Sequence, residues 1–408
     1  MANINLPDRS KLPAWISNRV IGIAAFAICW AVLVWRRTDQ WTAPQFWAED
    51  GCIFFSDAVT FGWAALLKPY AGYLLTLPRL VAGLTQGLPW EYIPTVYVVI
   101  ASLIAGLMGW RVACARLPLI ERVLAAIALV SVPHSGEVFL NLTNVMWILN
   151  VLLVVNLMEA PPENTAELLR RMSEILIVGL TTPMVIVLAP FAALWLLHWR
   201  KSPRAWIMNG AWALTFSIQA TCFFFSDRGV GSTIGAMLGD LHWVVPRYAA
   251  ALFVGNWIPY SLGLGWTAVG GGIIAVGLLY SDRKNPRRLL SLLLFLAAAG
   301  MLLIGRLAVT HWPHPTGGDA RYCYLPFVLV MWSFASLAAA TQHRTYRALA
   351  LTLYGLVVWS AASAWTAPAL PNKNWPQQVR EAKALQRTLF EVPPNYTFPV
   401  PVRAGPSR

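Results

Sequence analysis

Charge is what this sequence has least of. Only 12% of its 408 residues are charged, while 57% are hydrophobic and the mean hydropathy is +0.56. Soluble domains carry roughly 25% charged residues, so the composition excludes an ordinary water-soluble protein and implies a polytopic membrane protein. Acids are scarcer than bases, 18 against 31, which leaves a net charge of +13. Cysteine is sparse as well. The five residues, Cys29, Cys52, Cys114, Cys222 and Cys323, are scattered and show neither metal-ligand spacing nor a disulfide framework. No Gly-rich phosphate loop is evident, which speaks against nucleotide chemistry. No internal repeat stands out, which speaks against the repeated halves common in transporters. The N-terminus lacks a small-residue cleavage site, so residues 21–35 are expected to stay as a helix.

The bases that are present sit in short clusters between apolar runs. That is the positive-inside pattern with attraction to anionic lipid heads, and it argues against a nucleic-acid partner. A crossing needs about 20 apolar residues, fewer when its ends are embedded in protein. This rule predicts an all-α membrane protein with about eleven transmembrane helices, at 20–35, 92–110, 119–133, 144–158, 173–183, 184–199, 206–225, 265–281, 289–309, 322–340 and 346–366. Arg111, Arg116, Arg122, Arg170-Arg171, Arg200, Lys201, Arg204, Arg283, Lys284, Arg287, Arg288, Arg344 and Arg347 then mark the cytoplasmic turns. Arg36-Arg37 breaks the alternation and is expected to serve an anionic ligand outside. The transmembrane domain covers 1–366, and residues 367–408 form a short extracytoplasmic tail. Within the tail a helix is expected at 375–389 and extended chain over 392–401. Residues 226–264 make a second external segment, with an apolar part, 248–262, that dips into the membrane.

The first external loop, 36–91, holds the stretch that organises the reading: Gln45-Phe46-Trp47-Ala48-Glu49-Asp50-Gly51. Acids beside a bilayer are costly and tend to be functional. Phe46, Trp47, Phe54, Phe55 and Trp63 are expected at the membrane interface. Lys68-Pro69-Tyr70-Ala71-Gly72-Tyr73 follows, and Pro78, Arg79 and Pro89 turn 73–88 into a helix lying in the interface or re-entering.

The same face collects Lys68 and Arg79 from this loop, then Glu137, Asn141, Asn144 and Trp147. His311, His314, Asp319, Arg321 and Tyr322 join them before the tenth crossing. Loops distant in sequence are expected to converge there in one cleft, with carboxylates for base work and cations for an anion. Each residue also has a plainer role. Glu49 and Asp50 fit solvated loop acids or a helix N-cap. Glu137 fits an ion pair with Arg36 or Arg79, and Lys68 and Arg321 fit interface anchors. Tyr70 and Tyr73 fit belt residues, and His311 and His314 fit loop residues. Asp240-x-His242 is too small for a metal site. Cys52 and Cys323 are either gap-filling residues or, should the loops meet in an oxidising compartment, a disulfide.

On these residues the chain resembles the GT-C superfamily of polytopic glycosyltransferases. A first crossing is followed by an external loop with paired acids and interfacial helices. Gly318-Asp319-Ala320-Arg321-Tyr322-Cys323-Tyr324-Leu325-Pro326 heads a late crossing. More narrowly, Trp47-Ala48-Glu49-Asp50-Gly51 and Pro69-Tyr70-Ala71-Gly72-Tyr73 are similar to motifs of bacterial GT-C-like proteins. The resemblance implies transfer of a sugar from a polyprenyl-phosphate donor to a cell-envelope glycan or glycolipid outside the bacterial inner membrane, usually with inversion. Asp50, then Glu49, is expected to act as base. Arg321, Lys68, Arg79 and Tyr322 are expected around the donor phosphate. Glu137, Asn141, Trp147, Tyr70, Tyr73, His311 and His314 are expected around the substrates. No cofactor is required, and a divalent metal is left open. The tail is short where many members of the superfamily carry a large soluble domain. The rival readings are a lipid-carrier flippase or transporter, and a non-catalytic envelope assembly factor.

Overall fold

The structure is a computed structural model and describes residues 18–133, 137–226, 234–280, 287–308, 320–385 and 388–400. The helices are, in order, α1 (Asn18–Arg36), α2 (Thr38–Thr42), α3 (Ser56–Phe61), α4 (Thr76–Leu84), α5 (Ile93–Ala113), α6 (Leu119–Val130), α7 (Val145–Met158) and α8 (Thr165–Gly179). They continue with α9 (Met184–His198), α10 (Pro203–Phe224), α11 (Ile234–Phe253), α12 (Leu262–Tyr280), α13 (Arg287–Ala308), α14 (Arg321–Ala340), α15 (Arg344–Ala362) and α16 (Trp375–Leu385). A hairpin of β1 (Leu389–Val392) and β2 (Tyr396–Pro399) ends the described chain.

Among the described residues, four stretches are long and apolar enough to cross a membrane: Asn18–Arg36, Asp50–Leu67, Trp90–Ala113 and Arg321–Ala340. Shorter apolar helices run over Val145–Met158, Met184–His198, Leu262–Gly277 and Ser291–Leu302. Length and apolarity thus mark a helical membrane protein, with four full-length candidates rather than the eleven counted from apolar runs. Asp50–Leu67 is also not one straight rod. A π-helical turn, Asp50–Phe55, leads into α3, Gly62 takes a left-handed φ of 58°, and a 3-10 turn, Gly62–Leu67, follows.

Helix α14 is the hub. Its crossing window is 94% buried, and it packs against α6, α7, α13 and α15. A helix apolar all round must be enclosed on every side. Two of its buried polar groups reach across to neighbours: Trp332 Nε1 donates to Glu121 (3.1 Å) and Tyr324 donates to the Leu129 carbonyl (3.0 Å). The α1–α5 contact is close instead because it is small. A Cβ built at Gly109 would lie 2.6 Å from Cys29 Sγ and 2.9 Å from the Ala25 carbonyl. Such seams let membrane helices approach closely.

The two ends of the bundle are tied differently. At one end Arg36 donates to the carbonyls of Val130 (2.7 Å), Val132 (2.8 Å) and Trp365 (2.8 Å), joining the ends of α1, α6 and α15. Carbonyls at a helix C-terminus have no partner within the helix, and a buried guanidinium supplies one. Arg37 takes Asp39 (2.8 Å). The Arg36-Arg37 pair therefore seals helix ends, where an anionic ligand had been expected. At the other end, Glu159 gathers Arg111 (2.7 Å) and the Arg116 amide (2.6 Å), with Arg171 at 4.0 Å.

Three further expectations change. The helix expected from 173 starts earlier, as α8 begins at Thr165, where Asn164 accepts the Glu167 amide (2.9 Å) as N-cap. Much of the segment 226–264 is helical, as α11, which packs on α12 and α15. The tail helix is described to Leu385, and the Pro-rich end turns at 393–395 before running extended as strand β2 against β1.

Two predictions follow from the ends of the bundle. Asn164→Cys and Gln377→Cys, in a cysteine-free background, should react oppositely with an impermeant thiol reagent in intact cells. Gln377→Cys should be labelled and Asn164→Cys shielded; equal labelling would remove the assignment of sides. The second concerns Glu159. Burial opposes its charge, but the ion pair with Arg111 outweighs it and holds the carboxyl below the usual range. A lowered folded value stabilises above the unfolded carboxyl pKa of about 4.3 and fades as pH falls through the folded one. The melting temperature in detergent should therefore drop on acidification. Glu159→Gln should blunt that drop and lower the melting temperature, because it removes one of the acids facing Arg111 and Arg171, which keep Glu174 and Glu167.

Candidate functional site

The site begins with two neighbouring carboxylates in opposite environments. Asp50 is 1% exposed and accepts the amides of Leu142 (3.1 Å) and Thr143 (2.7 Å) and the Thr143 hydroxyl (2.6 Å). It fastens the first external loop to the connection between α6 and α7, where Leu140 holds a left-handed φ of 60°. That connection is further knotted by Asn141 and Asn144, whose side-chain amides both donate to the Glu137 carbonyl at 2.7 Å. Glu49 is only partly buried. Among the described residues its carboxylate has neither a hydrogen bond nor an ion pair.

Several loops meet at Glu49. Pro69-Tyr70-Ala71-Gly72-Tyr73 makes a tight turn in which Tyr70 and Tyr73 exchange backbone hydrogen bonds (2.9 and 3.2 Å). Ala71 and Gly72 both take positive φ, 52° and 78°. The side chain of Gln219 on α10 then clamps both backbone groups of Leu74 (2.9 and 3.2 Å). Burial, with Glu49 nearby, pushes the Tyr70 hydroxyl up to about 12, so it stays a proton donor; Tyr396 and Cys52 add to the effect and Arg321 opposes it. Glu49 and Tyr70 from the first loop, Arg321 from the head of α14 and Tyr396 from the tail thus act on one place.

Arg321 pairs with Glu137 and lies over the ring of Tyr322 (5.2 Å), and Tyr322 meets Trp147 edge-on (5.2 Å). The Trp147 Nε1–H is buried without an acceptor among the described residues. Glu137 therefore reaches Arg321, and not the Arg36 or Arg79 considered from sequence. Lys68 and Arg79 both take Asp57 instead, at 2.5 and 2.8 Å. Arg79 is buried beneath the ring of Phe54, and Lys68 caps that of Phe61. Their charges are met by an acid that the sequence reading had passed over.

The aromatic residues also move from their expected place. Phe46, Trp47, Phe54 and Phe55 are buried, and only Trp63 of the five is well exposed. The tail covers them. Trp375 sits 4.7 Å from Phe46 and 5.8 Å from Phe55, the Pro393 carbonyl accepts the Ala48 amide (2.9 Å), and Phe398 presses on Gly51. A Cβ at Gly51 would lie 3.0 Å from the Phe398 ring, so only glycine fits there comfortably. Gln219, Asp57, Thr143 and Tyr396 were missed from sequence; each is a common polar residue whose partner lies far along the chain.

Cys52 and Cys323 are free thiols, and Cys323 contacts the Tyr248 hydroxyl at 3.5 Å. His311, His314 and Asp319 lie outside the described residues. Among the described residues no three of His, Cys, Asp and Glu cluster as a metal site.

The Asp50 clasp predicts its own test. Asp50→Asn turns an acceptor pair into an amide facing N–H donors, and should cost about 1–3 kcal/mol by leaving one unsatisfied. Thr143→Val removes only the hydroxyl and should cost less. Thermal unfolding in detergent reads both, and a neutral Asp50→Asn would show that the connection is held by other contacts.

Comparison with known proteins returned no matching family model, no similar characterised protein and no similar solved structure.

Proposed function

We propose that this protein is a membrane glycosyltransferase of GT-C type. It moves a sugar from a polyprenyl-phosphate-linked donor to a glycan or glycolipid acceptor outside the bacterial inner membrane, with inversion. The observation that carries this reading is the Glu49 carboxylate, which has no hydrogen-bond or ion-pair partner among the described residues and which, with Tyr396 and Arg321, acts electrostatically on the Tyr70 hydroxyl. In this reading the shorter helices complete about eleven crossings, and the donor lipid enters from the bilayer.

Glu49 takes the proton of the acceptor hydroxyl as that oxygen bonds to the anomeric carbon. The bond from that carbon to the donor phosphate breaks, and its electrons leave with the phosphate. Arg321 offers charge to the leaving anion, its guanidinium being 26% exposed beside Glu137. Asp50, with all three of its donors in place, positions Glu49. Tyr70 and Tyr396 supply ring faces and hydroxyls suited to a sugar. Lys68 and Arg79 hold the loop through Asp57.

Sugar transfer in membranes from a labelled polyprenyl-phosphate donor tests the assignment. Glu49→Gln preserves size and should lower turnover by about 10²–10⁴, the usual cost of losing a general base, with the melting temperature unchanged. Asp50→Asn should lose activity in step with stability. Full transfer by a folded Glu49→Gln protein would take the base role away from Glu49.

A further inference from the structure

A second polar cavity opens at the same end of the bundle. It holds about 190 Å³ and is lined by Arg247 and Ala250 of α11, Asn256 and Tyr260 of the following loop, and Ser360 and Ser363 at the end of α15. Pro133, just beyond α6, closes one side. It lies across the head of α14 from Glu49: Tyr248, next to Arg247, touches Cys323, two residues past Arg321.

The cavity is preorganised. Gly255 takes φ 67°, and a Cβ there would sit 2.3 Å from the Ser360 carbonyl, so the chain reverses hard against α15. The Ser363 hydroxyl accepts the Asn256 amide (2.7 Å), and Ser360 donates to the Ala251 carbonyl (2.6 Å). The Ala250 carbonyl accepts the amides of Val254 and Gly255. The carbonyls of Ala250 and Ala251 at the cavity therefore already have partners. What remains is a cation and an amide. Arg247 is exposed, has no acidic partner among the described residues, and lies 5.8 Å from the Tyr260 ring centre. The Asn256 side chain is likewise exposed and unpaired there.

The rim is apolar and aromatic. Trp257 and Trp359 stack at 5.8 Å, each about half exposed, the Trp257 indole donates to the Trp359 carbonyl (2.8 Å), and Ile258 is equally bare. Exposed indoles beside an unpaired guanidinium match the boundary between lipid tails and headgroups.

We propose that this cavity binds the phosphate headgroup of an anionic lipid. Arg247 and Asn256 hold the phosphate oxygens, and the acyl or prenyl chain lies along Trp257 and Ile258. The site is separate from the acid site and does not depend on the glycosyltransferase reading.

The test uses the full chain in neutral phosphatidylcholine nanodiscs, titrated with short-chain phosphatidic acid, the matching diacylglycerol and inorganic phosphate. Native mass spectrometry reads the bound species. Phosphatidic acid should bind and diacylglycerol should not. Arg247→Gln should weaken binding about tenfold or more, the worth of a charge-assisted hydrogen bond, and Arg247→Lys should restore part. Arg344→Gln removes an exposed cation from the opposite end of α15 and should bind as the parent. Inorganic phosphate that competes as well as the lipid would keep the phosphate site but make free phosphate its ligand. Unchanged binding by a folded Arg247→Gln protein, equal loss in Arg344→Gln, or equal binding of diacylglycerol would each overturn the proposal.

Discussion

The carboxylate of Asp50 holding two backbone amides and a hydroxyl of the α6–α7 connection is the contact on which this end of the bundle depends. A desolvated carboxylate is costly unless donors surround it. Here they come from a segment more than ninety residues away in sequence, so the first external loop and that connection are fixed relative to each other. With Asp50 committed, its neighbour Glu49 is turned outward without a partner among the described residues. Two adjacent acids thus differ in their surroundings: one is bonded by three donors, and the other has no partner among the described residues.

Around this clasp the structure uses its scarce charges with economy. Arg36 closes three helix ends, Arg79 and Lys68 share Asp57, and Arg111, Arg116 and Arg171 gather on Glu159. In a protein this apolar, an unpaired cation or acid is therefore informative. Glu49 and Arg247 are such groups on the described surface, and both sit at the end of the bundle where Arg36 lies. They flank the head of α14, which pairs Arg321 with Glu137, sets Tyr322 against Trp147 and carries Cys323 to Tyr248.

The tail has a structural task out of proportion to its length. Trp375, Phe390 and Phe398 complete an aromatic cluster with Phe46, Phe55 and Trp90. Edge-on rings of this kind contribute beyond their buried area. The hairpin so anchored brings Tyr396 to the side of Glu49 and Tyr70. The rings of α16 and the hairpin thus cover the loop that carries Phe46 and Phe55.

The sequence alone determined the class. Low charge, high apolarity and basic clusters between apolar runs suffice for a helical membrane protein, because crossing a bilayer constrains composition and spacing directly. It also picked out 45–51, the turn at 69–73 and the head of α14, since acids and paired tyrosines beside apolar runs are unusual wherever they occur. Composition could not say which acid is spent on structure. Asp50 and Glu49 differ only in what approaches them from Leu142 and Thr143, and that approach is made by folding. Nor could it foresee that Asp57 takes Lys68 and Arg79, that Phe46 and Phe55 are core residues beneath a tail hairpin, or that α11 is a helix. Those outcomes rest on contacts between segments far apart in sequence, where local periodicity carries no information and only the packed chain decides.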